Sequence, residues 1–167
     1  MKHYQLVTTN NTEKFYSFLV SKASELIKNG YPAAKAVAKA IYQEAGTGGY
    51  FWRSIFGGKF PIEKVIKMGP NCIDYGYVVK EILEKYFNVK GEIKETKLVL
   101  VKNHQYFFSE KNEVIDLIVG IPQYPEGYFP DEELYLNELK KINNQGFKIA
   151  LQQIKAILFP QLRKKLC

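Results

Sequence analysis

The chain has 167 residues, a net charge of +7, and 46% hydrophobic and 14% aromatic residues. This composition suits one domain with a buried core and excludes a low-complexity or disordered chain. No apolar run approaches the roughly 20 residues of a transmembrane helix, and the N-terminus lacks the apolar stretch of a secretion signal. We therefore expect a cytoplasmic protein without a transmembrane segment, whose two cysteines, Cys72 and Cys167, are thiols.

The positive charge lies mainly at the two ends of the sequence. Residues 1–70 carry ten Lys/Arg against four Asp/Glu, and residues 147–167 carry five against none. Residues 71–146 carry nine against thirteen, so the middle of the chain is mildly acidic. Only Arg53 and Arg163 offer the forked guanidinium that suits phosphate and base recognition. Solvated lysine-rich helix faces are the favoured interpretation, and an anionic partner is the alternative.

The first seventy residues predict a helical region preceded by a short strand. The predicted elements are a strand near 3–9, an amphipathic helix over 11–30, an Ala-rich helix over 32–45 and a short helix over 61–68. A capping residue, Asn11 or Thr12, begins the first helix, Gly30 ends it, and Pro32 suits the first turn of the second. Glycines at 46–49 lack the Gly-Lys-Ser/Thr ending of a phosphate-binding loop, so we predict a connection there.

The rest of the chain predicts a small sheet between helices. The predicted elements are a helix over 72–87, strands over 93–101, 103–109 and 113–119, a loop after Pro122 and Pro125, and helices over 131–142 and 147–160. The fold class is therefore α+β, with an antiparallel sheet of three or more strands surrounded by helices. One domain over 1–167 contains a helical part (1–68), a helix-and-hairpin core (69–120) and C-terminal helices (121–167).

Asp116 is the residue that most needs a partner, because it interrupts the apolar run at 114–119. His104, the only histidine outside the N-terminal tail, lies on the preceding strand. A hairpin loop at 109–111 places the two side chains directly opposite, and a loop at 110–112 places them diagonally on one face. A loop of two or four residues would send them to opposite faces.

Cys72 begins a predicted helix and shares its inner stripe with Tyr75, Val79, Leu83 and Tyr86. Packing of that stripe on the sheet would bring the helix start to the hairpin, where the helix dipole favours a thiolate. Cys, His and Asp together form the arrangement that activates a thiol, and backbone N–H groups near Cys72 would bind an oxyanion. These three residues have no short-range ligand pair, so we expect no metal and no tightly bound cofactor.

Residues 69–120 resemble the transglutaminase-like branch of the papain-like cysteine hydrolases. The resemblance is carried by three short blocks, NCIDYGY at 71–77, NHQY at 103–106 and EVIDL at 113–117. Residues 127–132, GYFPDE, extend a similarity to papain-fold toxin domains of bacterial polymorphic toxin systems. The resemblance implies a papain/transglutaminase-like core and delivery as an effector or toxin domain as an alternative to a cytoplasmic location.

The resemblance implies that Cys72 is the nucleophile, His104 the general base and Asp116 the orienting acid. Gln43, Trp52 and Asn71 are the candidates for the family's second oxyanion donor. The predicted function is hydrolysis of a protein or peptide amide through a thioester, as a deamidase or protease, with transamidation left open. The alternative is a non-catalytic basic module in which lysine-rich helices bind nucleic acid, an anionic membrane or an acidic protein.

Overall fold

The structure, a computed structural model, describes residues 4–46, 58–98 and 101–144. Its helices are α1 (Asn10–Lys28), α2 (Ala33–Glu44), α3 (Ile62–Met68), α4 (Cys72–Phe87) and α5 (Glu132–Asn144). Its strands are β1 (Tyr4–Val7), β2 (Gly58–Pro61), β3 (Gly91–Leu98), β4 (Val101–Ser109), β5 (Val114–Ile115) and β6 (Tyr128–Phe129). The fold is α+β, which confirms the predicted class. The helix predicted from Phe147 lies outside the described residues.

Local capping explains where the N-terminal helices begin. Thr9 caps α1 through a reciprocal pair of hydrogen bonds with Thr12, so the cap lies slightly before the predicted Asn11 or Thr12. Pro32 immediately precedes α2, as its fixed φ predicts.

No helix in the described ranges is long and apolar enough to cross a membrane.

The strands form two sheets. Strands β1 and β2 pair in parallel, and β3, β4, β5 and β6 form an antiparallel sheet in that order. Strands β3 and β4 make the long hairpin of this sheet, with an irregularity between Thr96 and Leu98. The predicted antiparallel sheet is confirmed, whereas the parallel β1–β2 pair was not predicted.

The hairpin between β4 and β5 has the second of the two predicted registers. Phe107 pairs with Ile115 and Phe108 with Val114, which leaves a three-residue loop at 110–112. Asn112 adopts a left-handed φ of 66°, a conformation that Asn tolerates better than most residues. This loop keeps His104 and Asp116 diagonal to one another.

The strand predicted over 113–119 is wrong beyond Ile115. Oδ1 of Asp116 accepts hydrogen bonds from the N–H groups of Ile118 (3.1 Å) and Val119 (3.3 Å). The side chain thus takes two donors that a strand would offer to a neighbour, and the chain turns. The N–H of Asp116 still donates to the carbonyl of Gly127 (2.8 Å). A Cβ at Gly127 would lie 2.0 Å from the Asp116 carbonyl oxygen, so only glycine fits there.

The segment predicted as a loop after Pro122 and Pro125 contains strand β6. Val114 pairs with Phe129 and Ile115 with Tyr128, so β6 completes the sheet on the far side of β5. Its two residues are too few to show a hydrophobic alternation, which explains why the sequence pattern missed it. Strand β6 leads directly to α5, which it helps to hold against the sheet.

Helices pack on both faces of the sheet, as predicted. Alternate side chains of a strand point to opposite faces, and two buried clusters follow this rule. Phe107 and Ile115 pack with α1, α2 and α4, whereas Tyr106 and Val114 pack with α5. Tyr75, Val79 and Leu83 of the inner stripe of α4 are buried in the first cluster, and Tyr86 packs against it partly buried. The start of α4 is therefore held against the sheet, beside the hairpin.

Candidate active site

Asp116 is buried, with 3% of its surface exposed, and its carboxylate has four hydrogen-bond donors. The backbone N–H groups of Ile118 and Val119 hold Oδ1. Nε2 of His104 lies 2.5 Å from Oδ2, and the hydroxyl of Tyr135 donates to the same Oδ2 at 2.8 Å. Hydrogen bonds to an ionised carboxylate favour its charged form. The buried carboxylate of Asp116 therefore has the hydrogen-bond partners that a carboxylate in an apolar run requires.

His104 lies on β4 opposite Thr96 and is 1% exposed. Burial by itself lowers the pKa of His104, because it disfavours the charged ring. The charge and hydrogen bond of Asp116, together with a hydrogen bond and charge interaction with Cys72, raise that pKa to about 10. The imidazole is therefore a cation at neutral pH, paired with a carboxylate through Nε2.

Cys72 is the first residue of α4, and its thiol is half-buried. Cys72 raises the pKa of His104 through a hydrogen bond and its charge, so the sulfur lies close to the imidazole. Since Nε2 is occupied by Asp116, Nδ1 is the nitrogen that remains for the sulfur. Of the three side chains, the Cys72 thiol is thus accessible to solvent, whereas His104 and Asp116 are buried. The structure brings all three sequence-predicted site residues together.

A capping box fixes the start of α4. Oδ1 of Asn71 accepts from the N–H of Asp74 (2.8 Å), and Oδ2 of Asp74 accepts from the N–H of Asn71 (3.0 Å). The hydroxyl of Tyr4, on β1, donates to the Asp74 carboxylate (2.8 Å) and accepts from Nδ2 of Asn71 (3.1 Å). The N-terminal strand therefore anchors the helix turn that carries the thiol.

The first turn of α4 leaves two backbone donors near the sulfur. The N–H of Asp74 caps on Asn71, and the N–H of Tyr75 donates to the Asn71 carbonyl. Among the described residues, no hydrogen-bond acceptor is recorded for the N–H of Cys72 or Ile73. Such uncapped N–H groups at a helix start suit a negatively charged oxygen.

The predicted second oxyanion donors have three different outcomes. The amide of Asn71 is engaged by the cap and by Tyr4. Gln43 lies exposed on α2. Trp52 lies outside the described residues. The choice of donor stays open, although Asn71 lies nearest in sequence to the thiol.

Tyr135 is the site residue that sequence reasoning missed. It lies on α5, is fully buried, and packs its ring 4.6 Å from that of Tyr106 and 5.2 Å from that of Phe129. Burial, followed by the charge and hydrogen bond of Asp116, raises the pKa of Tyr135 well above its usual range, so the phenol stays protonated and donates. The sequence signal that could have indicated Tyr135 is its place in a stripe of Tyr135, Leu139 and Ile142 at helical spacing, which the structure shows to be buried.

The ion pairs of the surface lysines concern the alternative prediction, a non-catalytic basic module that binds an anionic partner. Several described lysines lie within 4 Å of an acidic side chain, in the pairs Lys22–Glu44, Lys35–Glu126, Lys80–Glu84, Lys85–Glu13, Lys94–Glu132 and Lys141–Glu138. Such pairs partly neutralise the field that would attract an anionic partner. The basic binding module stays a prediction, and a steep loss of retention on an anionic matrix with rising salt would support it.

Within the ranges that the structure describes, no group of three or more His, Cys, Asp and Glu side chains is arranged to hold a metal ion. Comparisons of the chain with protein-family models, with curated proteins and with solved structures found no match. The transglutaminase-like resemblance therefore stays a prediction, and the functional argument depends on the geometry of Cys72, His104 and Asp116.

Proposed function

We propose that this protein is a cysteine-dependent amide hydrolase of the papain-like, transglutaminase-like type. One observation carries the proposal: a buried His104–Asp116 pair, joined at 2.5 Å, interacts with a half-buried thiol at the start of a helix. A histidine paired with a carboxylate is common as a structural feature. A histidine that pairs with a carboxylate through one nitrogen and with an accessible thiol on its other side is the arrangement of an activated nucleophile.

The residues have distinct roles in the proposed reaction. An imidazolium beside a thiol stabilises the thiolate, so the sulfur of Cys72 attacks the amide carbonyl carbon. The carbonyl oxygen becomes an oxyanion, which the N–H groups of Cys72 and Ile73 bind. His104 donates its Nδ1 proton to the departing nitrogen, the C–N bond breaks, and a thioester and an amine or ammonia result. Asp116 holds the ring in the required tautomer.

Water completes the cycle. His104, now neutral at Nδ1, takes a proton from water as the oxygen attacks the thioester carbonyl. The C–S bond breaks, the product acid leaves, and sulfur and imidazolium return to their starting state. An acceptor amine in place of water would give transamidation instead. The proposal is hydrolysis of a glutamine side chain or a peptide bond, since no amine-binding feature of the described residues stands out.

Mass spectrometry after incubation with glutamine-containing peptides tests the proposal. Deamidation adds about one mass unit, because –OH replaces –NH₂, and proteolysis cuts the peptide. We expect Cys72→Ala to abolish either product, a loss of roughly 10⁴-fold or more. Cys167→Ala is the matched control, because it removes the other thiol and should retain activity. Equal turnover by Cys72→Ala and by the unaltered protein would refute the proposal.

A further inference from the structure

The hydroxyl of Tyr135 and the imidazole of His104 share one oxygen atom. Both approach Oδ2 of Asp116, the hydroxyl at 2.8 Å and Nε2 at 2.5 Å. The tyrosine ring is fixed between Tyr106 and Phe129, so the direction of its hydroxyl is set by aromatic packing. The mechanism above assigns no role to this hydroxyl.

A donor on a carboxylate oxygen withdraws part of its negative charge. The charge that remains for the imidazolium is smaller, and the imidazolium is stabilised less. The orientation of Asp116 does not depend on Tyr135 alone, because the N–H groups of Ile118 and Val119 hold Oδ1 independently. Loss of the hydroxyl should therefore change the strength of the His104–Asp116 pair more than its geometry.

We propose that Tyr135 is a positioning residue that acts through Asp116. Its hydroxyl reduces the charge that the carboxylate presents to His104, and so limits how strongly that carboxylate stabilises the protonated imidazole. This inference deepens the proposed function and depends on it. A His104 that held its proton too strongly would be a poor acid toward the departing nitrogen and a poor base toward water. The hydroxyl keeps the imidazolium closer to the range in which it can exchange that proton.

The charged and titratable groups around the pair come from three elements and one turn. Cys72 of α4 and Asp116, in the turn after β5, interact with the imidazole directly. Tyr135 of α5 and Tyr106 of β4 feel the charge of Asp116. Tyr106 donates its hydroxyl to Glu132, which also pairs with Lys94, so its hydrogen bond points away from the shared oxygen. Of these two tyrosines, Tyr135 is therefore the one whose hydroxyl acts on Oδ2 of Asp116.

Two variants at position 135 test the direction of the effect. Tyr135→Phe removes the donor, and replacement of Tyr135 by 3,5-difluorotyrosine makes the donor stronger. The titration midpoint of His104, measured by NMR on ring-labelled histidine, should rise by about 0.5–1 pH unit in the first and fall in the second. The chain contains only one other histidine, His3, which serves as an internal reference. The rate of Cys72 alkylation by iodoacetamide against pH should move in the same directions.

Tyr16→Phe is the matched control. Tyr16 is also fully buried, and its hydroxyl also donates to a carboxylate, at 2.6 Å to Oε2 of Glu81. A general effect of a lost buried hydroxyl would appear in both Phe variants, whereas the proposal expects a shift only at position 135. Should Tyr135→Phe fail to fold, the difluorotyrosine variant, which retains the hydroxyl, decides alone.

The outcomes separate this inference from the proposed function. Midpoints that coincide in all position-135 variants, while His104→Gln still alters Cys72 alkylation, would overturn the role of Tyr135 alone. If Cys72 alkylates like an ordinary thiol, with no response to His104→Gln, the proposed function fails together with the inference. A midpoint order of difluorotyrosine, tyrosine and phenylalanine, from lowest to highest, is the supporting result.

Discussion

Two buried carboxylates in this protein have similar surroundings but different partners. Asp116 accepts from His104 and Tyr135 beside the sheet, whereas Glu63 of α3 accepts from the hydroxyls of Thr12 (2.6 Å) and Thr9 (3.3 Å) at the start of α1. Both side chains are at most 9% exposed. The hydrogen bonds from Thr9 and Thr12 to Glu63 hold α1 against α3, and both donors are neutral hydroxyl groups.

The difference between the two clusters lies in which protons can move. A hydroxyl rotates and can either donate or accept, but it does not change charge near neutral pH. An imidazole changes charge, and its two nitrogens are coupled, so a change at Nε2 alters Nδ1. A buried carboxylate therefore indicates chemistry when its partner titrates and has a second partner of its own. His104 meets this condition through Cys72, and Thr12 does not.

Replacing each buried carboxylate by its neutral amide tests this comparison, and Asp116→Asn has the largest expected effect on turnover. In Asp116→Asn, the amide group that faces Tyr135 and His104 must donate through Nδ2 if Oδ1 keeps its backbone donors. Nε2 of His104 then becomes an acceptor, and its proton moves to Nδ1, which is the wrong tautomer for a base toward the thiol. We expect turnover of the peptide substrate to fall by about 10²–10⁴-fold, measured by mass spectrometry.

Glu63→Gln is the matched substitution in the other cluster. The hydroxyls of Thr9 and Thr12 can reverse their roles, so the amide finds partners and turnover should stay within about twofold. Comparable losses in both variants would mean that the Asp116 effect is a general loss of stability. A folded Asp116→Asn protein with unchanged turnover would remove Asp116 from the proposed mechanism.

Local sequence signals predicted much of the fold. The starts of α1, α2 and α4 were predicted to within about two residues, although the cap of α1 is Thr9 instead of Asn11 or Thr12 and no cap was predicted for α4. Loop length limited the hairpin to a few registers, and the structure has the one with a loop at 110–112 and Asn112 in the left-handed conformation. These features depend on neighbours in sequence, which a single chain reveals.

The rest of the site depends on contacts between distant parts of the chain. Tyr135 lies nineteen residues from Asp116, and Tyr4 lies seventy residues from Asp74, so no spacing rule connects them. Strand β5 ends early because a side chain captures backbone donors, which competes with the propensity of an apolar run. The sequence pattern predicted Cys72, His104 and Asp116 as a group, and tertiary packing determined which hydroxyl groups surround them.

The pH dependence of stability sharpens the comparison between the two clusters. The pKa of His104 is raised to about 10 in the folded protein, against about 6.5 in an unfolded chain. The stabilisation is complete below pH 6.5 and declines as pH rises toward 10, because the folded state holds a proton that the unfolded chain has released. In a Cys72→Ala background, where no thiol proton offsets the proton held by His104, we expect the free energy of unfolding to fall by up to roughly 3 kcal/mol between pH 6 and pH 9.

Urea unfolding at several pH values between 6 and 9 measures this slope. His104→Gln should abolish most of the slope, whereas Glu63→Gln should retain it, because the threonine hydroxyls around Glu63 do not titrate in this range. The upper limit of pH 9 matters, since burial raises the pKa of Tyr106 and of Tyr128 above its usual range, and their ionisation adds an alkaline destabilisation of its own. A flat profile in the Cys72→Ala background would contradict the imidazolium assignment.

Tyr4→Phe has the smallest expected effect and asks whether a structural carboxylate can influence the site indirectly. The variant removes a hydroxyl that joins the Asp74 carboxylate to the Asn71 amide, at the cap of the helix that carries the thiol. We expect a loss of about 1 kcal/mol in the free energy of unfolding, from one part-buried hydrogen-bonded hydroxyl. Peptide turnover should fall several-fold through a looser helix start, with the titration midpoint of His104 unchanged because the lost hydrogen bonds lie at the cap of α4, on Asp74 and Asn71. A midpoint that moved with this variant would show that the cap at Asp74 and the pair at Asp116 act as one network, and the distinction between structural and titrating carboxylates would fail.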